Sequence, residues 1–385
     1  MKKRKVLGIT GIRSEYFLQR SIFRAIMDHP DLEFELIVTG AHLSPLHGYT
    51  VTEIESDGFP IVDRVESLLY SNRDAARVKG AAIQLLGLSH IVDAVRPDWL
   101  LAPTDREEAI GLALCGAYMN IATAHYGAGD RARGNVDDVM RHAISRLAHL
   151  LLTTHEDARE RLIRSGEEEW RVHNVGHAGI DRLRTTPVLE PASLAKALGV
   201  GSLNEPYVVV IQHPISSQID EAGAQMRETL AAVKELDIEA FVIYPNSDAG
   251  SDAMINAIRE YDSVAKIHIF RTIPDEAFVN LLGGAALLIG NSSLGILEAP
   301  FLRLPAVNIG DRQSGRHHAE NVSYVPHDRR QIARQVRSLL FNDEVRASAR
   351  ACSNPFGEGH TGERVAELLA TTPLDSRLFQ KDLTY

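Results

Sequence analysis

The sequence predicts an α/β protein with two domains, each built on a parallel β-sheet, that face each other across a cleft. Short apolar runs alternate with helical patterns along the chain, and this alternation is typical of parallel sheets with right-handed crossovers. The alternation weakens between about residues 185 and 206 and resumes at Tyr207. A chain of 385 residues is long enough for two such domains, each with its own core.

The first series of elements begins with a buried strand at residues 5–10. The turn after this strand contains Gly11 and Arg13, and Ser14 is the expected N-cap of a helix over residues 15–27. A second helix, over residues 75–95, carries few charges and is therefore expected to be well packed. Further strands are predicted at residues 34–39, 98–103, 120–125, 150–154 and 171–176.

Prolines and glycines are frequent between residues 185 and 206, which predicts a linker containing one short helix. The second series then supplies a helix over residues 331–341, with Asp328 as its N-cap, and a last helix over residues 363–370. Its strands are predicted at residues 207–212, 240–244, 265–270 and 285–289.

The composition is that of a soluble globular protein, and it excludes several kinds of partner. A net charge of −10 argues against nucleic acid or a membrane surface. No stretch is expected to reach the length of a membrane span, and the apolar run after the basic N-terminus is too short for a signal peptide. Cys115 and Cys352 lie far apart without metal-binding spacing, so we expect a reduced, cytoplasmic protein that holds no metal.

Residues 290–316 have the features of a phosphate site. A predicted strand runs into the small polar residues Ser292 and Ser293, and a helical pattern follows them. Free N–H groups at a helix start, together with hydroxyls, bind anions. Glu298 would lie about 9 Å along that helix from Ser292, where a carboxylate can accept hydrogen bonds from a ribose. The alternative is an ordinary helix cap followed by a surface glutamate.

Candidate site residues lie where predicted strands end, because ligands of open α/β sheets bind beyond the carboxyl ends of the strands. Asp105 has the alternative role of capping the next helix, and Asp137 that of a favourable acid in a first helical turn. The Gly-rich loop over residues 127–138 is expected to move and to close over a ligand. The candidates are Arg13, His42, Asp105, Arg106 and Asp137 in the first half, and His213, Ser292, Ser293, Glu298 and Arg312 in the second.

Several motifs occur in order along nearly the whole chain. They are residues 10–16 (TGIRSEY), 38–45 (VTGAHLSP), 105–108 (DREE), 137–143 (DDVMRHA), 174–176 (NVG), 213–214 (HP), 244–250 (YPNSDAG), 290–300 (GNSSLGILEAP) and 308–316 (NIGDRQSGR). With these motifs, the chain resembles the non-hydrogen-transferring UDP-N-acetylglucosamine 2-epimerases. It is most similar to their hydrolysing branch, which makes N-acetylmannosamine for sialic-acid-type sugars.

The resemblance implies a GT-B-type fold of two Rossmann-like domains. The first domain would comprise residues 1–186, with a C-terminal helix at about 360–385 packing back on it. The second, at 187–359, would bind UDP. Ser292 and Ser293 would meet the diphosphate, Glu298 the ribose, and Arg13 and Arg312 the phosphate charge. His42, Arg106 and Asn246 complete the expected substrate-binding set.

The implied reaction eliminates UDP to give 2-acetamidoglucal, to which water adds to release N-acetylmannosamine, without a cofactor or metal. The carboxylates Asp105 and Asp137 and the imidazole of His213 are the implied catalytic groups. One departure from the family concerns residues 125–130, where Gly127 occupies the position of a catalytic glutamate. Asp130 is a candidate substitute for the missing carboxylate.

This departure leaves three alternatives. The substrate is UDP-N-acetylglucosamine, or it is a modified sugar nucleotide such as UDP-N,N′-diacetylbacillosamine, or the protein binds UDP-sugars with impaired catalysis. A glycosyltransferase is a further possibility on fold analogy alone. The resemblance also implies a homodimer or homotetramer.

Overall fold

The computed structural model describes residues 2–71, 74–131, 136–203, 206–245 and 249–384. The chain divides into two compact units. The first unit comprises residues 1–184 and 356–385, and the second comprises residues 185–355. The C-terminal segment from residue 356 onward belongs to the first unit.

The first unit is built on a seven-stranded parallel sheet with the order β3-β2-β1-β4-β5-β6-β7. Its strands are β1 (Arg4–Thr10), β2 (Leu32–Thr39), β3 (Ile61–Val65), β4 (Trp99–Pro103), β5 (Ala122–Tyr126), β6 (Leu150–Thr153) and β7 (Val172–Asn174). The central strands β1, β4 and β5 are buried over most or all of their length, as expected where helices cover both faces of a sheet. Strands β1 to β3 follow one another toward one edge of the sheet, and β4 to β7 follow one another toward the other edge. The strand order therefore reverses between β1 and β4, which pair side by side. This is the point at which open α/β sheets bind ligands.

Helices of the first unit fill the connections between strands. They are α1 (Arg13–Asp28), α2 (Val51–Ser56), α3 (Asp74–Val95), α4 (Glu107–Met119), α5 (Val136–Leu147), α6 (Glu156–Arg164) and α7 (Ala178–Thr185), together with the C-terminal α15 (Thr361–Thr371) and α16 (Ser376–Phe379). The N-cap of α1 is Ile12, so the prediction that Ser14 caps this helix is wrong. The side chain of Asp181 accepts hydrogen bonds from the backbone N–H groups of Thr361 and Gly362, which anchors the start of α15 in this unit.

Helix α3 differs from the prediction in its packing. One side packs on α4 and β3 through Leu88 and Val92, which are fully buried. On the other side Val78 is 72% exposed and Leu86 is 64% exposed, so the expectation of a well-packed helix is wrong for that side. Residues 75–95 are also long and apolar enough to cross a membrane by length and composition, contrary to the prediction. An exposed apolar side and a long apolar sequence also occur in helices that pack on other protein surfaces.

The second unit is built on a six-stranded parallel sheet with the order β10-β9-β8-β11-β12-β13. Its strands are β8 (Tyr207–Ile211), β9 (Glu239–Ile243), β10 (Ile267–Phe270), β11 (Leu287–Gly290), β12 (Ala306–Ile309) and β13 (Val322–Val325). Its helices are α8 (Pro191–Leu198), α9 (Ala222–Glu235), α10 (Ser251–Arg259), α11 (Asp275–Gly284), α12 (Leu294–Leu297), α13 (Arg329–Phe341) and α14 (Asp343–Arg350). The reversal point of this sheet lies between β8 and β11.

Most predicted elements of the second unit are present. The predicted short linker helix is α8, which begins at Pro191 as expected for a first helical position. Asp328 caps α13 by accepting a hydrogen bond from the N–H of Gln331, which confirms that prediction. Strands β3, β12 and β13 were not predicted. Each has only four or five residues, too few for a periodic pattern to separate it from a loop.

Candidate functional site

Asp105 and Asp137 lie close to each other at the carboxyl edge of the first unit's sheet. Asp105 follows β4, and Asp137 lies in the first turn of α5. Arg141, one turn further along α5, forms an ion pair with the Asp105 carboxylate and donates a hydrogen bond to the backbone oxygen of Gly127 at 2.8 Å. Burial and the nearby Asp105 charge raise the pKa of Asp137. A carboxyl group with a raised pKa beside a second acidic group that pairs with an arginine is an arrangement suited to proton transfer.

The alternative role of Asp105 as a helix cap is not observed. The N-cap of α4 is Arg106, without a side-chain cap, and Asp105 instead pairs with Arg141. Thr104, just before Asp105, has a positive φ of 33°, which is strained for a threonine. The backbone oxygen of Thr104 accepts a hydrogen bond from Nε2 of the buried His125 at 2.6 Å. Burial lowers the pKa of His125 to about 3, so this histidine is a neutral support of the strained turn.

A second pair of carboxyl groups, Glu15 and Glu108, lies behind this turn. Glu15 is in the first turn of α1 and is 7% exposed; Glu108 is in the first turn of α4 and is 2% exposed. Thr104 Oγ1 donates a hydrogen bond to Oε1 of Glu15. The Nε of Arg106 donates to Oε1 of Glu108 at 3.2 Å. Arg106 is therefore held within the cluster rather than directed only to solvent.

The predicted residues Arg13 and His42 differ in accessibility. Arg13 is half exposed, and its Nε donates to both carboxylate oxygens of Glu53 at 3.1 Å. His42 is fully buried, and its ring nitrogens form hydrogen bonds with Thr10 and Thr50. Burial lowers the pKa of His42 to about 4, so the ring is neutral. In this structure His42 supports the β2 edge from inside the unit and presents no ring nitrogen at the surface.

Asp130 lies in a different cluster from Asp105. Its Oδ1 is 3.3 Å from Nε2 of His155, the N-cap residue of α6. The preceding Gly129 packs on α6, where an added Cβ would be 2.7 Å from the backbone oxygen of Ala158. The backbone therefore holds Asp130 beside α6. Residues 132–135 of the loop that was expected to close over a ligand lie outside the described part of the chain.

The β11 end of the second unit is organised around Asn291. Gly290 has a φ of 132°, and a Cβ on it would lie 2.0 Å from the backbone oxygen of Ile211. The fully buried Asn291 side chain accepts a hydrogen bond from the backbone N–H of His213 at 2.7 Å and donates one to its backbone oxygen at 2.9 Å. Its own backbone oxygen accepts from Arg312 Nη1 at 3.2 Å. Asn291 therefore brings together two predicted residues, His213 and Arg312.

The helix predicted after Ser293 is much shorter than expected. Helix α12 contains only Leu294–Leu297, and Glu298 is its C-cap and is buried. Glu298 therefore lies at the end of this helix and not within it. The hydroxyl of Ser292 accepts a hydrogen bond from the N–H of Leu294 at 3.4 Å, and both serines are partly exposed. A four-residue helix has a small dipole, so an anion bound here would depend on hydroxyls and arginines instead.

Some functional candidates could not be ranked from sequence. Asn246 lies outside the described residues. Arg141 and Asn291 both lie in motifs that the sequence analysis quotes. Asp137 and Arg141 are four residues apart in a helix, and this spacing indicates that they share one face. Glu15 and Glu108 lie 93 positions apart, and only the pairing of β1 with β4 brings them together. In the described ranges, no group of three or more His, Cys, Asp or Glu side chains is placed to hold a metal ion.

Comparison with known proteins agrees with these observations. The profile of the UDP-N-acetylglucosamine 2-epimerase family matches residues 24–370. A UDP-N,N′-diacetylbacillosamine 2-epimerase (hydrolyzing) from Legionella pneumophila is 30% identical over 382 residues, covering 99% of this chain and 100% of the relative. A GDP/UDP-N,N′-diacetylbacillosamine 2-epimerase (hydrolyzing) from Campylobacter jejuni is 31% identical over 326 residues, covering 84% of each chain.

Among solved structures, the UDP-GlcNAc 2-epimerase from Neisseria meningitidis bound to UDP-GlcNAc superposes with a TM-score of 0.80 at 16% identity. The match covers 95% of this chain and 99% of that one. This likeness confirms the predicted GT-B-type α/β fold class. The family profile over residues 24–370 and the Legionella relative, matched over its full length, show that the chain belongs to the UDP-N-acetylglucosamine 2-epimerase family.

Proposed function

We propose that this protein is a hydrolysing 2-epimerase of UDP-linked 2-acetamido sugars. The observation that carries the proposal is the cluster of Asp105, Asp137 and Arg141 at the reversal point of the first sheet. A base removes the proton at C2 of the sugar while the C1–O bond to UDP breaks, which leaves a 2-acetamidoglucal. Water then adds its hydroxyl at C1 and a proton returns to C2 on the opposite face.

The carboxyl groups of the first unit suit the two proton transfers. Asp105 forms an ion pair with the buried Arg141, which fixes its carboxylate in position to accept a proton. Asp137, whose pKa is raised, can carry a proton closer to neutral pH than an ordinary aspartate. Asp130, which lies beside α6 with His155, is a weaker candidate for either role.

The residues proposed to hold UDP are Ser292, Ser293, Glu298 and Arg312 in the second unit, with Arg13, Arg106 and Asn246 as further contacts. The two hydrogen bonds between the Asn291 side chain and the His213 backbone support this assignment. They fix the ends of the two strands that precede His213 and Ser292 relative to each other. Arginines and hydroxyls stabilise the negative charge that develops on the departing diphosphate. His213 is the proposed catalytic group of this unit.

Two sugar nucleotides are proposed as substrates. UDP-N-acetylglucosamine is the substrate of the family that the motifs resemble, and the family profile bears that description. The relatives from Legionella and Campylobacter, at 30% and 31% identity, are both described as acting on N,N′-diacetylbacillosamine nucleotides. These relatives favour the 4-acetamido sugar, and we propose UDP-N,N′-diacetylbacillosamine as the preferred substrate. With either substrate, the proposed role of the protein is in the synthesis of sialic-acid-type sugars.

Proton NMR in D₂O tests the reaction and the substrate together. The protein is incubated separately with each of the two sugar nucleotides, and free UDP and a C2-deuterated 2-epimeric sugar are expected. Faster release from the diacetylbacillosamine nucleotide supports the preferred substrate. Deuterium at C2 without free UDP would mean epimerisation without hydrolysis, and both substrates remaining intact would contradict the proposal.

A second candidate function is UDP-sugar binding without turnover, and Gly127 favours it. Gly127 has a φ of 77° and is buried against Thr104 and Arg141, where a Cβ would lie 3.3 Å from Thr104 Cγ2. The backbone here suits glycine, so no side chain extends from this position toward Asp105. A binder would gain thermal stability from UDP while every nucleotide sugar offered stays intact. Turnover above background excludes this function.

We also propose that the protein is a homo-oligomer in which the exposed side of α3 meets the same side of a second copy. The exposed apolar side chains Val78, Ile83 and Leu86 can pack on the same side chains of a second copy, since apolar contact needs no opposite charge. Leu86→Glu is expected to produce monomers, which size-exclusion chromatography with light scattering detects. Val188→Glu, at a 93% exposed position in the second unit, is the matched control and should leave the assembly unchanged. An unchanged oligomer in Leu86→Glu would contradict this interface.

A further inference from the structure

The carboxyl groups of Glu15 and Glu108 meet in a buried space under the turn after β1. Glu108 packs on the backbone of this turn so closely that a Cβ on Gly11 would lie 2.2 Å from its Oε1. The two carboxyl groups are within hydrogen-bond distance of each other. One oxygen of the pair, Oε2 of Glu15, is buried and receives no hydrogen bond from an N–H or hydroxyl donor in the described ranges.

Two ionised carboxylates cannot satisfy this arrangement. Both would be acceptors only, and Oε2 of Glu15 would be left without a donor. A single proton shared by the pair provides that donor and removes one of two buried like charges. One negative charge then remains opposite the Arg106 guanidinium, whose Nε donates to Glu108. The other charged groups near the pair are Asp105, in the turn after β4, and Glu107, in the first turn of α4.

We propose that Glu15 and Glu108 share one proton and act as positioning residues that hold Thr104 and Arg106 beside Asp105. Glu15 accepts the hydrogen bond of the Thr104 hydroxyl and so supports the strained backbone that precedes Asp105. Glu108 holds Arg106 by its Nε. The role in catalysis rests on the proposed 2-epimerase function, whereas the shared proton does not.

Loss of the shared proton at alkaline pH places a second negative charge beside Asp105. Arg106 is then drawn toward the pair, and repulsion from Glu108 displaces the Glu15 carboxylate that accepts the hydrogen bond of the Thr104 hydroxyl. Turnover is therefore expected to fall at alkaline pH by up to about tenfold per pH unit once the pair ionises. Burial and the mutual repulsion of the two groups raise the pKa of Glu15, and burial raises that of Glu108, in agreement with this direction.

Thermal unfolding without substrate tests the shared proton. The folded pair keeps its proton at a pH where the unfolded carboxyls have lost theirs, so the wild type loses stability as pH rises through this interval. Glu108→Gln replaces the protonated carboxyl by an amide, which donates to Glu15 permanently. Its Tm relative to wild type is expected to rise by about 3 °C per pH unit over this interval. The control is Glu107→Gln, because the neighbouring Glu107 has a lowered pKa and an ion pair with Arg77, so its difference from wild type should stay flat above about pH 6.

Two further measurements complete the test. Infrared spectroscopy of the wild type at about pH 7 should show a protonated carboxyl band that a Glu15→Gln/Glu108→Gln double variant lacks. The alkaline fall in turnover should disappear in Glu108→Gln, and Glu15→Gln serves if that variant does not fold. A flat Tm difference for Glu108→Gln, or no such infrared band, overturns the shared proton. If turnover of Glu108→Gln still falls at alkaline pH as in the wild type, while the Tm result is as expected, the positioning role is overturned. Absence of any turnover would instead contradict the 2-epimerase function, and the stability and infrared results remain decisive.

Discussion

Asp105→Asn is expected to lower turnover by about 10²–10⁴-fold while UDP binding survives. The asparagine keeps the size of the side chain but removes the charge that pairs with the buried Arg141. An amide neither accepts the C2 proton nor holds that guanidinium as strongly. UDP release under saturating substrate measures the first effect, and isothermal calorimetry with UDP measures the second. The Tm should fall as well, because Arg141 loses its partner.

The control for this variant is Asp93→Asn. Asp93 also pairs with an arginine, Arg96, but both side chains are more than half exposed on the surface. Exposed pairs contribute little, so turnover and Tm should match the wild type. If Asp105→Asn retained full activity, the assignment of the first unit's catalytic groups would be wrong. His213→Ala should lower turnover in a similar way if the second unit supplies a catalytic group.

Gly290→Ala is expected to have the largest effect on stability. The φ of 132° is outside the range of alanine, and the added Cβ would lie 2.0 Å from the backbone oxygen of Ile211 in the neighbouring strand. Strain and overlap together should lower the free energy of unfolding of the second unit by about 3–5 kcal/mol. Because Asn291 directly follows Gly290, its hydrogen bonds to the His213 backbone should weaken, and UDP affinity should fall. Calorimetric unfolding with and without UDP measures both consequences.

Gly283→Ala is the matched control in the same unit. Gly283 lies in α11, and a Cβ there meets no atom within 4 Å in the described part of the chain. Since alanine is a better helix former, the variant should be neutral or more stable by up to about 1 kcal/mol. Equal free energies of unfolding for Gly290→Ala and Gly283→Ala would show that β11 can end without a glycine in this positive-φ conformation.

The alternation of apolar runs and helical patterns determined the fold class and most elements, because burial between helix layers forces a central strand such as β8 to be apolar throughout. The motifs likewise located Asp105, His213 and Ser292, since residues at strand ends of a parallel sheet are close in sequence to a strong pattern. Pattern failed where the element was short, as in α12, because one helical turn has no periodicity to detect.

Tertiary structure alone decided which polar residues meet. The sequence gives no reason to pair Glu15 with Glu108; the crossover that sets β1 beside β4 does so and removes both carboxyl groups from water. It also decided that Asp105 pairs with Arg141 instead of capping α4, and that Asp130 lies beside α6. The physical reason is that local sequence sets backbone preference over a few residues, whereas the charge state of a carboxyl group depends on burial and on partners contributed by distant parts of the chain.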